Sequence, residues 1–469
     1  MSSKTPSSVN PAINYIVNAM AFFQNILKNP PSDTLRMHEK RYFTESGLAK
    51  QYKPYLLFKP HFNKSFYEVT AIDGAEEALD FLLTVESIRQ PAFSEPEKVT
   101  HDALRGTVLF EYLFNMIHNY INSNLSIDKI NYEKLLEFHN NYVYHHSKTE
   151  NIYQIVVPIV GIRADIYPLT ITDELIIEKL DIGTKNRLLN DFTTPFETNY
   201  LQEAECCLNF NKKPKQGQGI NNTEQDLIAQ AFLTASRLYK EGDVAIFRTY
   251  TFLAEPYETF LGEPGGVTSG RIFKDYYLPR GFFDQVQINN DYVLSKEDTD
   301  KLSELYKQCK NVFSGQSIFN TLEIPFKRFH MTYTRESYDD KIIDLAIVIE
   351  STLLHGLNDE LSNRIGFRGA TLLRNCADPF KVRDLLKAFY AVRSKLVHEG
   401  ITIEKQKKNG KIKNIYDVDK FIPELRKITR LILVEYLKRM SDGYNIKDIS
   451  NGLEDELLRC IASSSNTEN

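Results

Sequence analysis

Hydrophobic positions recur along this chain with two periods, and the place where one gives way to the other organises everything else. In residues 1–150 the two are mixed. Tyr55-Leu-Leu-Phe58 and Phe66 to Ile72 read as strands, while 74–85 and 101–123 read as helices, the second with Leu109, Phe110, Leu113 and Ile117 at apolar positions. From 151 to 190 the pattern turns β-rich. Ile152-Tyr-Gln-Ile-Val-Val-Pro-Ile-Val-Gly-Ile162 predicts one long strand or a strand pair, and Leu169 to Leu180 follows as further strand. A helix is expected over 223–239, a strand over Val244 to Leu253, and a helix from Leu294 to Phe313 that opens with Ser295 and Glu297.

From about residue 326 the period is helical throughout. Ser337 and Asp340 have capping-box spacing before a helix that ends near Gly356, with Ile343, Ala346, Ile347 and Leu354 as its inward stripe and Glu350 on that stripe. A second helix, about 358–376, carries Gly366 and Gly369, which would permit close helix approach. Pro379 opens a third, ending at Gly400, with apolar Val382, Leu385, Leu386, Phe389, Leu396 and Val397. Residues 401–418 are expected to form a small hairpin turning at Asn409-Gly410, before a last helix from Pro423 to about Met440 and a disordered tail. The fold class expected is therefore α+β overall: an N-terminal mixed α/β region, 1–325 with a sub-boundary near 150, then a C-terminal all-α bundle over 326–469.

Composition narrows the setting. Charged residues make up 25% and hydrophobic ones 42% of 469 residues, ordinary globular usage. The net charge of −5 argues against wholesale coating of nucleic acid, so any such contact has to come from a local patch. Cys206, Cys207, Cys309, Cys376 and Cys460 include no Cys-x-x-Cys pair, which argues against a zinc site or a disulfide framework. The N-terminus is polar and no stretch is long and apolar enough to span a bilayer, so a cytoplasmic protein without membrane partners is expected.

The chemistry gathers in the helix before Gly400. Arg393 falls on its apolar stripe, four residues past Phe389, and an arginine directed at a core must find a partner. His398 follows five residues later. A fixed cation beside a titratable imidazole suits a phosphodiester. On a regular helix five residues mean about 140° of rotation and roughly 7.5 Å of rise, so the two are not side by side. One phosphate reaches both only if the helix end distorts, the arginine reaches across, or a second copy of the helix supplies a neighbour.

Tyr390, Arg393, Ser394, Val397 and His398 resemble the motif of the Apea-like branch of the HEPN domain family, Tyr-x-x-Arg-Ser-x-x-Val-His-Gly, with Glu399 standing between His398 and Gly400 where the family often runs His-Gly. Asp344-Leu-Ala-Ile-Val-Ile-Glu350 resembles the family's upstream helix ending in glutamate. The likeness covers roughly 328–440 and implies a HEPN-like bundle that pairs through the 380–400 helix as a homodimer. It implies metal-independent RNA cleavage by attack of the ribose 2′-OH, leaving a cyclic phosphate and a 5′-OH. His398 would act as general acid or base, Arg393 would steady the phosphorane charge, and Glu350 would orient Arg393, with Ser394 and Tyr390 supporting. No cofactor and no metal is called for. The resemblance also implies a toxin-like or antiviral-defence effector acting on RNA, tRNA among the candidates, with the N-terminal region sensing a phage-derived trigger. The competing reading is a non-catalytic HEPN dimerisation or RNA/nucleotide-binding module, with Arg393 and Glu350 a structural ion pair.

Just past the motif, between Arg393 and Lys413, seven basic side chains stand against two acidic ones. Lys395, Lys405, Lys407, Lys408 and Lys411 are the RNA-binding candidates there, their attraction to phosphates independent of base sequence. Other signals fail. Gly262 to Gly270 is glycine-rich but lacks the Gly-Lys-Ser/Thr of a P-loop. His139, His145 and His146 have no acidic or cysteine partner at metal-ligand spacing and read as surface or strand positions.

Overall fold

The computed structural model describes residues 10–22, 35–45, 47–56, 71–84, seven positions within 108–120, 129–147, 152–189, 195–213, 222–253, 268–272, 292–315, 318–355, 361–408 and 418–465. The expected strand over Phe66 to Ile72 lies almost wholly outside them, as do the glycine-rich segment up to Val267, the Asn409-Gly410 turn and residues 466–469.

Helix α1 (Pro11–Phe22), hairpin β1 (Leu35–Thr44) with β2 (Gly47–Leu56), helix α2 (Ala75–Leu82) and helix α3 (Tyr132–Ser147) come first. The described positions of the expected 101–123 helix are helical, and Leu109, Leu113 and Ile117 are buried. These helices share a core of their own that includes Tyr15, Leu79, Tyr112 and Tyr142. His139 sits within it, on a helix and not on a strand or the surface. Its Nε2 is 2.8 Å from Asn10 Nδ2 and its Nδ1 2.7 Å from the Tyr112 hydroxyl.

Burial holds the His139 pKa down at about 4. Above its ordinary value near 6.5 the imidazole is neutral folded and unfolded alike. As pH falls from there toward 4, the unfolded chain binds a proton that the folded core refuses, so stability drops by up to about 1.4 kcal/mol per pH unit and then levels off. Hydrogen exchange in 11–22 and 132–147 is expected to accelerate across that window in the parent and to lose this acid dependence in His139→Gln. An unchanged pH profile in the variant would assign the effect to other groups.

A seven-stranded sheet follows, with β3 (Tyr153–Val160), β5 (Leu169–Thr172), β6 (Leu175–Lys179), β7 (Cys206–Lys212), β8 (Ala245–Ile246), β9 (Arg248–Leu253) and β10 (Thr268–Ile272). Its order is β10-β9-β3-β7-β6-β5, every pairing antiparallel, with β8 also on β3. The alternation along β3 explains why it is central. Ile155, Val157 and Ile159 face one core, while Val156 and Val160 face another with Leu188, Tyr200 and Leu201 from α4 (Ile182–Leu188) and α5 (Pro195–Glu203). β3 is a single strand that ends at Gly161, whose φ of +84° and contact with the Asp243 carbonyl leave no room for a side chain. A two-stranded parallel pair, β4 (Arg163–Ala164) with β11 (Val293–Leu294), lies beside the sheet.

Helices α6 (Asn222–Tyr239) and α7 (Thr299–Phe313) cover the first sheet face, as the period predicted. Ser295 begins a 3₁₀ turn before α7, with Asp298 as its capping-box partner. The C-terminal region is helical: α8 (Glu323–Thr334), α9 (Tyr338–Leu353), α10 (Leu361–Leu372), α11 (Pro379–Glu399), α12 (Ile403–Lys408), α13 (Val418–Ser441) and α14 (Ile446–Ser465). One hydrophobic core runs from Ile155 on the sheet through Phe326 to Leu453. Described residues from Ile155 to Leu453 thus share one core, while the first helices form a separate cluster.

Three local expectations are corrected. Residues 403–408 form a helix where a hairpin strand was expected, because Ile403 and Gln406, three apart, are both buried. The helix expected from Pro423 begins at Val418, with the proline in its second turn, and it is not the last, since α14 continues to Ser465. Finally, of the expected inward stripe of α9, Ala346 and Leu354 are buried, but Ile343 is exposed and Ile347 half-buried, and the deepest positions are Ile342, Leu345, Ile349 and Leu353.

Candidate functional site

Two capped helices set the site. Ser337 accepts from the Asp340 amide to start α9. Asp378 accepts from the amides of Phe380 and Lys381 to start α11, with Pro379 in its first turn. Gly369 lets α10 close on α11, since a methyl group there would lie 2.2 Å from Leu386 Cδ1. Along α11 the buried positions are Val382, Leu386, Phe389 and Val392. The apolar stripe stops there. Leu396 is half-buried against the edge of the core and Val397 is 49% exposed, so the last turn of the helix projects beyond the core. The chain then leaves through Gly400 at φ +65°, its amide and that of Ile401 both donating to the Lys395 carbonyl.

On that projecting end the structure brings together three of the residues expected to act. Arg393 Nη2 donates to Glu350 Oε2 at 3.0 Å across the α9–α11 contact. Nε and Oε1 also lie 3.0 Å apart, but off line for a hydrogen bond, so this second contact is Coulombic only. Neither residue is in the core: Arg393 is 20% and Glu350 27% exposed, because Glu350 flanks the stripe of α9 instead of lying on it. The remaining guanidinium nitrogen, Nη1, is 3.5 Å from His398 Nε2. The arginine reaches across a regular helix, which is how two residues five apart meet. Burial raises the pKa of the Glu350 carboxyl, and the charge and hydrogen bond of Arg393, then the charge of His398, pull it back down.

The supporting residues are arranged around this pair. The Arg393 guanidinium carbon is 5.9 Å from the centre of the Tyr390 ring. Ser394 is half-buried, four residues before His398 and so on its face of the helix. Of the lysines, Lys395 is half-buried and Lys405 exposed on α12. The side chains of Lys407 and Lys408, and all of Lys411, lie outside the described residues.

Two residues that sequence reasoning passed over hold this helix end in place. Gln406 Nε2 donates to the carbonyls of Val392 at 3.2 Å and Ile401 at 2.8 Å, and Asp339 accepts from the Ile403 amide at 2.9 Å. Together they fold α12 back against α11 and satisfy carbonyls that a helix end leaves free. Gln406 stands in a lysine-rich run, and the only trace of its role in the sequence is its helical spacing, three residues past Ile403.

The arrangement has a definite chemical capacity. A guanidinium held on one side by a carboxylate keeps a free fork for an oxyanion. With Nη1 and Nε2 3.5 Å apart, one phosphate oxygen can accept from both at ordinary lengths. The site is open surface. A cavity of about 500 Å³ lies elsewhere, between the β5–β6 turn and α7, and none of these residues lines it. An open site admits a polymer. Among the described residues, no group of three or more His, Cys, Asp or Glu side chains is placed to hold a metal ion, and no helix is long and apolar enough to cross a membrane. No family model, curated protein or solved structure matches this chain.

Proposed function

We propose that the protein is a HEPN-type endoribonuclease that cleaves RNA by metal-independent attack of the ribose 2′-OH on the adjacent phosphodiester. The observation that carries this reading is the exposed His398 imidazole 3.5 Å from a guanidinium that Glu350 holds from the other side. In this mechanism the 2′-oxygen bonds to phosphorus and the 5′-oxygen leaves. His398 takes the proton from the 2′-OH or delivers one to the departing 5′-oxygen, and Arg393 steadies the charge that develops on the non-bridging oxygens. RNA supplies its own nucleophile, so the protein has only to position, protonate and neutralise.

The reading extends to assembly and role. Two copies pair through the projecting end of α11, around the exposed Val397, so that each site gains a second histidine. Lys395, Lys405, Lys407, Lys408 and Lys411 attract the RNA backbone beside it. The N-terminal region holds the nuclease in check until a phage-derived trigger releases it, the behaviour of a toxin-like or antiviral-defence effector in the cytoplasm, with tRNA among its substrates.

Purified protein is expected to cut RNA in the presence of EDTA and to leave 2′,3′-cyclic phosphate and 5′-hydroxyl ends, read by mass spectrometry of the fragments. Activity lost on chelation and restored by magnesium would overturn the mechanism.

A further inference from the structure

The first half of α11 carries a feature that the nuclease chemistry leaves unused. Phe380 is 68% exposed, and Phe367, on the neighbouring α10, is 43% exposed. Each is paired with a cation: Arg383 lies 5.4 Å from the Phe380 ring centre and Lys387 5.2 Å from that of Phe367. Gly366 accounts for the second arrangement. A methyl group there would sit 3.1 Å from Lys387 Cγ and 3.2 Å from Arg383 Cγ, so its absence lets both stems lie flat between the helices. Phe380, Arg383, Lys387, Tyr390, Ser394 and His398 follow one another at intervals of three and four, which places them on one face, exposed at Phe380 and His398 and half-buried between them. That face is about 27 Å long at 1.5 Å per residue, and it ends at the candidate site.

We propose that this face of α11, with Phe367 of α10, is a track on which single-stranded RNA lies with bases stacked on Phe380 and Phe367 and phosphates on Arg383 and Lys387, leading the strand to Arg393 and His398. The inference rests on the nuclease reading and names its substrate class. Exposed aromatic rings alternating with cations are what an unpaired strand requires, since every base has a face to stack and every nucleotide a phosphate to neutralise. A membrane or an apolar protein partner would call for an uninterrupted apolar stripe instead. A duplex hides its base faces and gains nothing from the phenylalanines. Asp384 bonds Arg383 at 2.8 Å, but this pair is on the surface, where a phosphate competes with a carboxylate on equal terms.

The test uses the full-length His398→Ala protein, so that binding is read without cutting, and fluorescent 12-nucleotide oligouridine and oligoadenosine. Phe380→Ala and Phe367→Ala are expected to weaken binding by roughly tenfold each, since stacking of one base contributes on that order, and Phe380→Trp to retain it. Arg383→Ala with Lys387→Ala should flatten the salt dependence by about two phosphate contacts. A duplex of the same length should bind more weakly and ignore the phenylalanine changes. With His398 intact, the phenylalanine variants should raise KM and leave kcat near the parental value. The two phenylalanines are exposed, so circular dichroism should report an unchanged fold. Binding unaffected by the loss of both rings, or a duplex bound as tightly as a single strand, would overturn the track. If the parent cuts RNA and the phenylalanine variants bind and cut like it, the track falls and the nuclease reading stands. If binding depends on the rings but the parent never cuts, the track stands and the nuclease reading falls.

Discussion

His398→Ala is expected to slow RNA cleavage by about 10²–10⁴-fold, the usual contribution of a positioned general acid or base, with RNA affinity and fold retained. The separation follows from position. His398 is exposed in the last turn of a helix, and its contact in the described structure is a 3.5 Å approach to Arg393, so its removal empties no core and orphans no buried group. A proton-transfer group acts on the transition state more than on ground-state affinity, and the loss should appear in kcat. Single-turnover cleavage, a filter-binding isotherm and a melting curve on the same preparation check the three parts. A His398→Ala protein that cuts at the parental rate would sink the catalytic assignment and favour a non-catalytic binding module.

Arg393 predicts a compound effect. Arg393→Ala should abolish cleavage and also destabilise by about 1–3 kcal/mol, the cost of leaving a half-buried charged group without its hydrogen bond. The Glu350 carboxyl, already raised by burial, then loses its strongest opposing influence and should titrate at still higher pH. Arg393→Met with Glu350→Leu should recover the stability, because the pair is replaced by apolar groups of similar volume, but not the cleavage. Denaturant unfolding beside a cleavage assay separates the two quantities. Stability that stays low in the double variant would mean that Arg393 supports the fold through something besides Glu350. Cleavage that returns in it would remove Arg393 from the chemistry.

The α9 helix marks where sequence reading reached its limit. Leu345-Ala-Ile-Val-Ile349 is apolar on every side, so periodicity alone does not select the inward face. The choice is made by Asp344, buried and bonded by Arg328 and Arg335 from the preceding helix and turn, and by the packing of α9 against α8 and α13, with Ile342, Leu345 and Ile349 in the core. The resulting rotation moves Glu350 from the stripe to its flank, where Arg393 can reach it and water can reach both. The first strand of the hairpin expected after Gly400 is a helix instead for a related reason, while the turn itself lies outside the described residues. An Asn-Gly signal is strong between alternating apolar strands, but here the flanks are lysines, and one buried Ile-Gln pair was enough to make a short helix.

What the sequence determined by itself is local. The α6, α7 and α11 helices follow from period, caps and the punctuating Pro379 and Gly400; strand β3 follows from its apolar run, as one of the two forms that run allows; Arg393 and His398 are candidates by residue type and spacing, and Glu350 by the family resemblance. Tertiary structure alone decided the rest. The stripe of α11 is fully buried only as far as Val392 and thins to the half-buried Leu396, Gln406 and Asp339 tie that end down, and a guanidinium held by Glu350 spans five residues to an exposed imidazole. Period and capping act between residues a few positions apart, whereas which end of a helix is left uncovered depends on contacts between distant segments, as in Asp339 with Ile403, 64 positions apart, and no local pattern encodes those.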